Sequence, residues 1–167
     1  MKFELKRLDA SFLGDLLSLQ DDAFRHLGDP EMLRPNSAEV FLECLEKHHT
    51  LGIFHEKELI AFGILYFGKG TPENLGHDLG VPKNLLFKVA NVKLIIVRHD
   101  FRGQGLQRFI IGELEKKAQA MGYEILACTV SPKNHVSIRD FLLSGFVFWK
   151  QTPKYGVLLR NVYYKRI

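Results

Sequence analysis

The chain has 167 residues, 46% of them hydrophobic, enough for one domain (residues 1–167) with a sizeable core. Its 23 Lys and Arg against 19 Asp and Glu leave a net charge of +4, without the basic stripe and interleaved aromatics of a nucleic-acid binder. No apolar run reaches membrane-spanning length, Met1–Arg7 alternates with charge unlike a signal peptide, and Cys44 and Cys128 follow no pairing rule, so a reduced, cytoplasmic protein is expected.

Lys2–Arg7 alternates apolar and charged residues and predicts a half-buried first strand. Asp9 can cap a helix with Phe12, Leu16, Leu19 and Ala23 on one face, stopped by Gly28-Asp29-Pro30. Asn36, with Glu39 three residues on, starts a second helix that turns Val40, Phe41, Cys44 and Leu45 inward. His49–Phe54 and Leu59–Phe67 flank Glu56-Lys57 in the manner of an antiparallel hairpin. A long connection, Gly68–Ala90, precedes the apolar run Leu94–Val97, which predicts a strand buried on both faces. After Arg102-Gly103-Gln104-Gly105, the positions Leu106, Ile110, Leu114, Ala118 and Met121 fall at helical spacing, and Gly122 supplies the stop. Tyr123–Val130 predicts another strand. Phe146–Gln151 and Gly156–Lys165, around Thr152-Pro153-Lys154-Tyr155, complete a sheet as two antiparallel strands.

The strand–glycine turn–helix unit is an anion site in outline. Two glycines let the backbone turn tightly and approach a ligand, and the helix N-terminus offers unpaired N–H groups and a positive dipole end beside Arg102 and Arg108. Phosphate is the natural guest. The P-loop pattern is missing, and the dinucleotide fingerprint fails at Arg108, with Glu124 opening its strand instead of closing it.

Val97-x-x-x-x-Arg102-x-x-Gly105 resembles the acetyl-CoA motif of the GNAT N-acetyltransferase superfamily, Arg/Gln-x-x-Gly-x-Gly/Ala. Downstream, Asn134-His135-Val136-Ser137 followed by Phe141-Leu142-Leu143-Ser144-Gly145-Phe146 resembles the family's second signature. The two motifs stand in order with strand–helix–strand between them. The resemblance covers Leu94–Phe148 closely and the rest in element order. It implies an α/β (α+β) fold: a mixed, largely antiparallel sheet of about seven strands with a splayed parallel pair and helices on both faces.

The resemblance also implies a reaction, acetyl-CoA-dependent direct transfer of an acetyl group to a primary amine of a small molecule or a protein residue. The pantetheine arm would thread between the Leu94–Val97 and Tyr123–Val130 strands and pair with the backbone of Ile95, Ile96 and Val97, as β-addition does. Arg102, Gly103, Gln104, Gly105, Leu106, Gln107 and Arg108 would hold the pyrophosphate. Gln107 replaces the family's usual Gly or Ala, and its side chain is expected to point outward. Asn134, Ser137 and Phe141 complete the implied cofactor contacts, Asn134 touching pantetheine or ordering a water. Ser137 reads equally well as a helix-surface hydroxyl.

A lysine-like ammonium with pKa about 10.4 needs a base at pH 7. Thr129 stands where some family members have Glu, so Glu73 in the long connection is the candidate, with Asp78 second. Phe141 stands where many members have a proton-donating Tyr; water or Tyr155 could serve instead. The Gly68–Ala90 connection either walls the acceptor pocket, with Leu85–Val89 as a short helical or extended lid, or is a plain surface insertion. His99 replaces a frequent Pro. The seven histidines are scattered, without zinc-ligand spacing, so no metal is expected. The alternative function is a catalytically silent acyl-CoA-binding module, for which Thr129 and Phe141 speak. The acceptor, a small-molecule or peptide amine, stays open, as does oligomeric state, a homodimer being one option.

Overall fold

The computed structural model describes residues 2–167; Met1 lies outside the described residues. Strands β1 (Glu4–Arg7), β2 (His49–His55), β3 (Glu58–Tyr66), β4 (Val89–Val97), β5 (Ile125–Val130), β6 (Val147–Lys154) and β7 (Leu158–Arg166) form one sheet. Its order is β1-β2-β3-β4-β5-β7-β6. Helices α1 (Leu13–Arg25) and α2 (Ala38–Lys47) precede β2, α3 (Leu106–Ala120) joins β4 to β5, and α4 (His135–Leu143) follows β5. Every pairing is antiparallel except β4 with β5, whose crossover is α3. The expected seven-stranded mixed sheet is therefore present.

Leu16, Leu19, Phe41, Cys44 and Leu45 of α1 and α2 pack on one face against Phe62, Ile64 and Ile96. Ile110, Ile111 and Leu114 of α3, with Phe141 of α4 and Phe146, pack on the other against Ala61, Leu65 and Val92. Gly63 on β3 allows α3 to lie this close, because a Cβ there would collide with the Ile110 side chain. The β2–β3 turn sets Glu56 and Lys57 at φ 49° and 69°, the left-handed geometry that matches strand twist in a two-residue hairpin.

Several boundaries differ from the sequence reading. Ser37, not Asn36, caps α2, its Oγ accepting from Val40 N at 3.2 Å. Asn36 is drawn instead to Gln20 of α1, which accepts from its N–H and donates to its carbonyl, both at 2.9 Å. Asp9 caps a 3-10 turn, Ala10–Phe12, that leads into α1. Strand β4 starts at Val89 rather than Leu94, since polar Asn91 and Lys93 break the apolar run without breaking the strand. Strand β5 starts at Ile125; Tyr123 lies before it, stacked on Phe67 at 5.3 Å. Strand β6 runs on through Pro153, tolerated because β6 is an edge.

The Gly68–Ala90 connection is neither a free lid nor a plain surface insertion. Buried Leu75 packs with Val89 and Ala127 in a small core of its own. Fully buried Asn74 is its hub: its Nδ2 donates to Lys69 O (2.7 Å) and Leu86 O (2.9 Å), and its Oδ1 accepts from Gly76 N (2.8 Å). The expected Leu85–Val89 lid is a 3-10 helix, Lys83–Lys88, pinned by buried Leu86, and Val89 already belongs to β4.

Candidate active site

Strands β4 and β5 pair over three positions only, Val89 with Ile125, Ala90 with Leu126 and Asn91 with Ala127. The register against β3 then slips, leaving Lys93 as an extra residue between Val92 and Leu94. Such a bulge bends its strand, and β4 leaves β5 at this point. Arg98 N donates to Ile60 O at 2.8 Å, so by alternation Ile96 and Leu94 also face β3. The backbone groups of Ile95 and Val97 are therefore turned to the open gap. Val97 O accepts only a long contact, 3.4 Å, from Arg102 Nε.

At the top of the gap β4 enters a 3-10 turn, His99–Phe101, and then the glycine turn. Gly103 and Gly105 take φ values of 80° and 76°, which glycine alone adopts without strain. Gly105 is the N-cap residue of α3 and supplies no capping side chain, so the first N–H groups of the helix stay open. Arg102, Gly103, Gln104, Gly105 and Arg108 are exposed there, while Leu106 is buried and fixes the helix start. Arg98 locks the entry to the turn, donating from Nε and Nη2 to the two Asp100 oxygens at 2.7 and 3.0 Å and from Nη1 to Glu58 at 3.0 Å. These bonds to Asp100 hold its carboxyl below the usual range.

The second sequence motif frames the other side of the gap. Asn134 caps α4, its Oδ1 accepting from Ser137 N at 3.2 Å. The Gln107 side chain does not point outward as expected: its Nε2 donates to Ser137 Oγ at 2.9 Å, tying the first turn of α3 to the first turn of α4. The reach of a glutamine is what the family's Gly or Ala lacks. Phe141 is 4% exposed and sits edge-on to Phe146 at 5.0 Å. Burial pushes the Asp140 carboxyl up, opposed by Arg139 and Arg108.

Between the splayed strands lies a cavity of about 150 Å³ that reaches Ile95, Thr129, Asn134, Ser137 and Phe141 on the gap side and Tyr66, Pro72, Glu73 and Leu75 on the other. Glu73 thus lines the same cavity as the motif residues. Its carbonyl accepts from Asn91 Nδ2 at 2.8 Å, which fixes this part of the connection to β4. Asp78 is elsewhere engaged, accepting from Lys154 Nζ at 2.8 Å while its carbonyl accepts from Trp149 Nε1 at 2.9 Å. An ion-paired Asp78 is a clamp and not a free base. Burial, followed by nearby Glu43 and Glu73, pushes the Tyr66 hydroxyl up, so it keeps its proton. The Thr129 and Tyr155 hydroxyls lie 3.0 Å apart, and the Arg34 guanidinium covers the Tyr155 ring at 4.0 Å.

One cluster was missed in the sequence. Asp22 of α1 accepts from His99 N at 2.9 Å and contacts His99 Nδ1 at 2.6 Å, while His26 stacks on His99 with centroids 3.7 Å apart and planes within 8°. Burial raises the Asp22 carboxyl, and the His99 bonds with the charge of His99 and His26 outweigh it, leaving Asp22 below its usual value. His26 Nδ1 lies 2.8 Å from Asp22 O and 3.5 Å from Asp22 Oδ1, so possible ligand atoms of all three residues fall within 4.8 Å of one another, and their mutual contacts clamp the turn to α1. The contact joins residues 77 positions apart, and no local spacing announces it.

A sheet with one parallel pair splayed at a bulge, a glycine turn opening a helix, and a cavity at the splay define an acyl-CoA-type transferase architecture. Residues 13–146 match the family model described as Acetyltransferase (GNAT) family, and the chain belongs to this family as an N-acetyltransferase. Its fold is shared with solved structures of low sequence identity. The N-acetyltransferase from Staphylococcus aureus Mu50 is 15% identical with a TM-score of 0.75, covering 99% of each chain. Salmonella typhimurium yncA, solved with its cofactor acetyl-CoA, is 15% identical with a TM-score of 0.73, covering 98% of this chain and 93% of that one. The ribosomal-protein-S18-alanine N-acetyltransferase from Escherichia coli is 17% identical with a TM-score of 0.75, covering 99% and 94%. No curated protein matches the sequence. No helix among the described residues is long and apolar enough to cross a membrane.

Proposed function

We propose that residues 1–167 act as one catalytic domain that transfers an acetyl group from acetyl-CoA directly to a primary amine, on a small molecule or a protein residue, in the cytoplasm. One observation carries this reading: the Glu73 cavity reaches Ile95, on the stretch of β4 that β5 leaves unpaired, and that stretch leads on through His99–Phe101 to the glycine turn, so that the three follow one another along a single track of chain. Two free, buried thiols, Cys44 and Cys128, suit a reducing compartment.

The track fits the cofactor in kind. Exposed N–H groups from Gly103 to Arg108, with Arg102 and Arg108 beside them, suit a pyrophosphate. The free backbone of Ile95 and Val97 suits the amides of a pantetheine arm. When bound, acetyl-CoA supplies an activated thioester. The chain's own residues then orient the acceptor and move protons. Glu73 takes the proton from the acceptor's ammonium so that the neutral amine can attack the thioester carbonyl; at pKa about 10.4 the group is otherwise neutral in only about one molecule in a few thousand. Tyr155, bonded to Thr129, is the hydroxyl available to return a proton to the departing thiolate; Phe141 contributes shape alone.

A thiol-release assay with acetyl-CoA against amino acids, polyamines, aminoglycosides and peptides tests the reading. Thiol release that depends on one acceptor class is the expected result. Calorimetry that shows neither acetyl-CoA nor CoA binding at millimolar concentration overturns it. The silent-module alternative, favoured by Thr129 and Phe141, predicts binding without thiol release from any acceptor.

A further inference from the structure

The cavity holds more positive charge than its contents so far require. Arg34, Lys93, Lys154 and Arg160 line it, against Glu73 as the one carboxylate. Lys154 is neutralised by Asp78 at 2.8 Å. The Lys93 ammonium lies over the Tyr66 ring at 5.1 Å and the Arg34 guanidinium over Tyr155, contacts that position a cation without neutralising it.

Arg160 is the telling residue. It is 4% exposed, and its hydrogen bonds run to carbonyl oxygens: Nη2 to Glu31 O at 2.7 Å and Nη1 to Leu159 O at 3.0 Å. The nearby Glu31 carboxylate turns towards Lys133 instead, at 3.9 Å. Burial lowers the pKa of Arg160, opposed by the charges of Tyr155 and Glu31. A buried guanidinium is ordinarily paired with a carboxylate or phosphate, and three of its five N–H donors remain after the two carbonyl bonds. Acetyl-CoA does not fill this role on the proposed track, because its phosphates lie at the glycine turn and its thioester end is neutral.

We infer that the acceptor is an amine carrying a carboxylate, an amino-acid-like molecule whose anionic end meets Arg160 and Arg34 while its amine faces Glu73. This rests on the acetyl-transfer reading and narrows it. A purely cationic acceptor such as a polyamine meets a cavity of its own sign. A zwitterion does not, and once its carboxylate is seated the remaining positive walls disfavour the ammonium form and ease loss of the proton to Glu73. A bidentate guanidinium contact also fixes the planar carboxylate in direction, which sets where the amine points.

The test pairs acceptors that differ only in charge: alanine, methionine, phenylalanine and glutamate against their carboxamides, with spermidine as the cationic control. Thiol release is measured at saturating acetyl-CoA, and calorimetry measures binding of the same compounds to CoA-loaded protein. The expected result is a preference for the free carboxylate over its amide of at least tenfold in kcat/KM and in affinity. Arg34→Ala and Arg160→Gln should raise KM for the carboxylate acceptors by at least tenfold more than for the amides, collapsing the preference. Arg34 is exposed, so its variant stands if Arg160→Gln fails to fold. Equal use of amides, a preference for spermidine, or variants that weaken both members of each pair alike overturn the inference. Absence of thiol release from every compound overturns the transfer reading instead, and the calorimetric pairs still decide the carboxylate preference.

Discussion

The glycine turn and the Glu73 cavity sit at the two ends of one gap and are made differently. The turn is backbone: exposed N–H groups, two glycines at positive φ, and arginines from a stretch of eleven residues, Arg98–Arg108. The cavity is side chain: Arg34 comes from the loop before α2, Tyr66 from β3, Glu73 from the long connection, Thr129 from β5 and Arg160 from β7. A backbone site tolerates change in the side chains around it and suits a ligand common to a whole family. A side-chain site can be rewritten residue by residue, and charge placement there selects the partner.

Substitution at the turn should produce the largest effect. A Cβ at Gly105 meets nothing within 4 Å, so Gly105→Val leaves the interior packing intact. It forces a β-branched residue to φ 76°, at a cost of about 1–2 kcal/mol, and fills the space a phosphate would approach. Calorimetry should show CoA affinity weakened by about 100-fold, the equivalent of losing two charge-assisted hydrogen bonds, with a loss of only a few degrees in Tm. Unchanged CoA affinity would remove the phosphate from this turn.

The cavity should answer differently. Glu73→Gln keeps shape and removes the proposed base, so kcat should fall by about 100-fold while CoA affinity stays as it was. A fall in CoA affinity with kcat intact would reverse the division between the two regions.

Asp22→Asn probes the clamp behind the turn, and pH separates its effect from simple misfolding. Because the Asp22 carboxyl lies below its usual value in the folded state, it stabilises the fold at pH above the unfolded-state pKa near 4. That contribution is lost as pH falls through the lowered folded value. The wild type should therefore exceed the variant by about 1–2 kcal/mol near neutrality, and the gap should close in acid. Loosening His99 should also weaken CoA binding several-fold. Denaturant midpoints across pH 2–7 decide it; a gap independent of pH would mean that the carboxylate charge plays no part.

The same contrast explains what was legible in the sequence. The turn lies in one contiguous segment, so its spacing announced it, and the Asn134–Phe146 motif did likewise for α4. Where two local rules competed, the structure chose by distant contacts: Asn36 and Ser37 are both good caps, and Gln20 claimed Asn36. Gln107 pointed inward because Ser137, thirty residues on, lay within its reach. The Lys93 bulge, the Asp22–His99 clamp and the buried Arg160 depend on partners that come together only in the fold. Glu73 was readable as a candidate through its residue type and its place in a long connection, yet its neighbours Tyr66, Arg34 and Arg160 were not.

The smallest effect tests shape against chemistry at Phe141. The ring is buried edge-on to Phe146 and also borders the cavity. In Phe141→Tyr the added hydroxyl either enters the cavity, where it can donate a hydrogen bond, or is forced against the core, where an unpaired polar group costs about 1–3 kcal/mol. Turnover unchanged or raised, with Tm within a few degrees of wild type, is the expected outcome, because Phe141 supplies no proton now and the cavity offers the hydroxyl somewhere to go. A severe loss of turnover with Tm preserved would show that the apolar edge itself holds the thioester end in place.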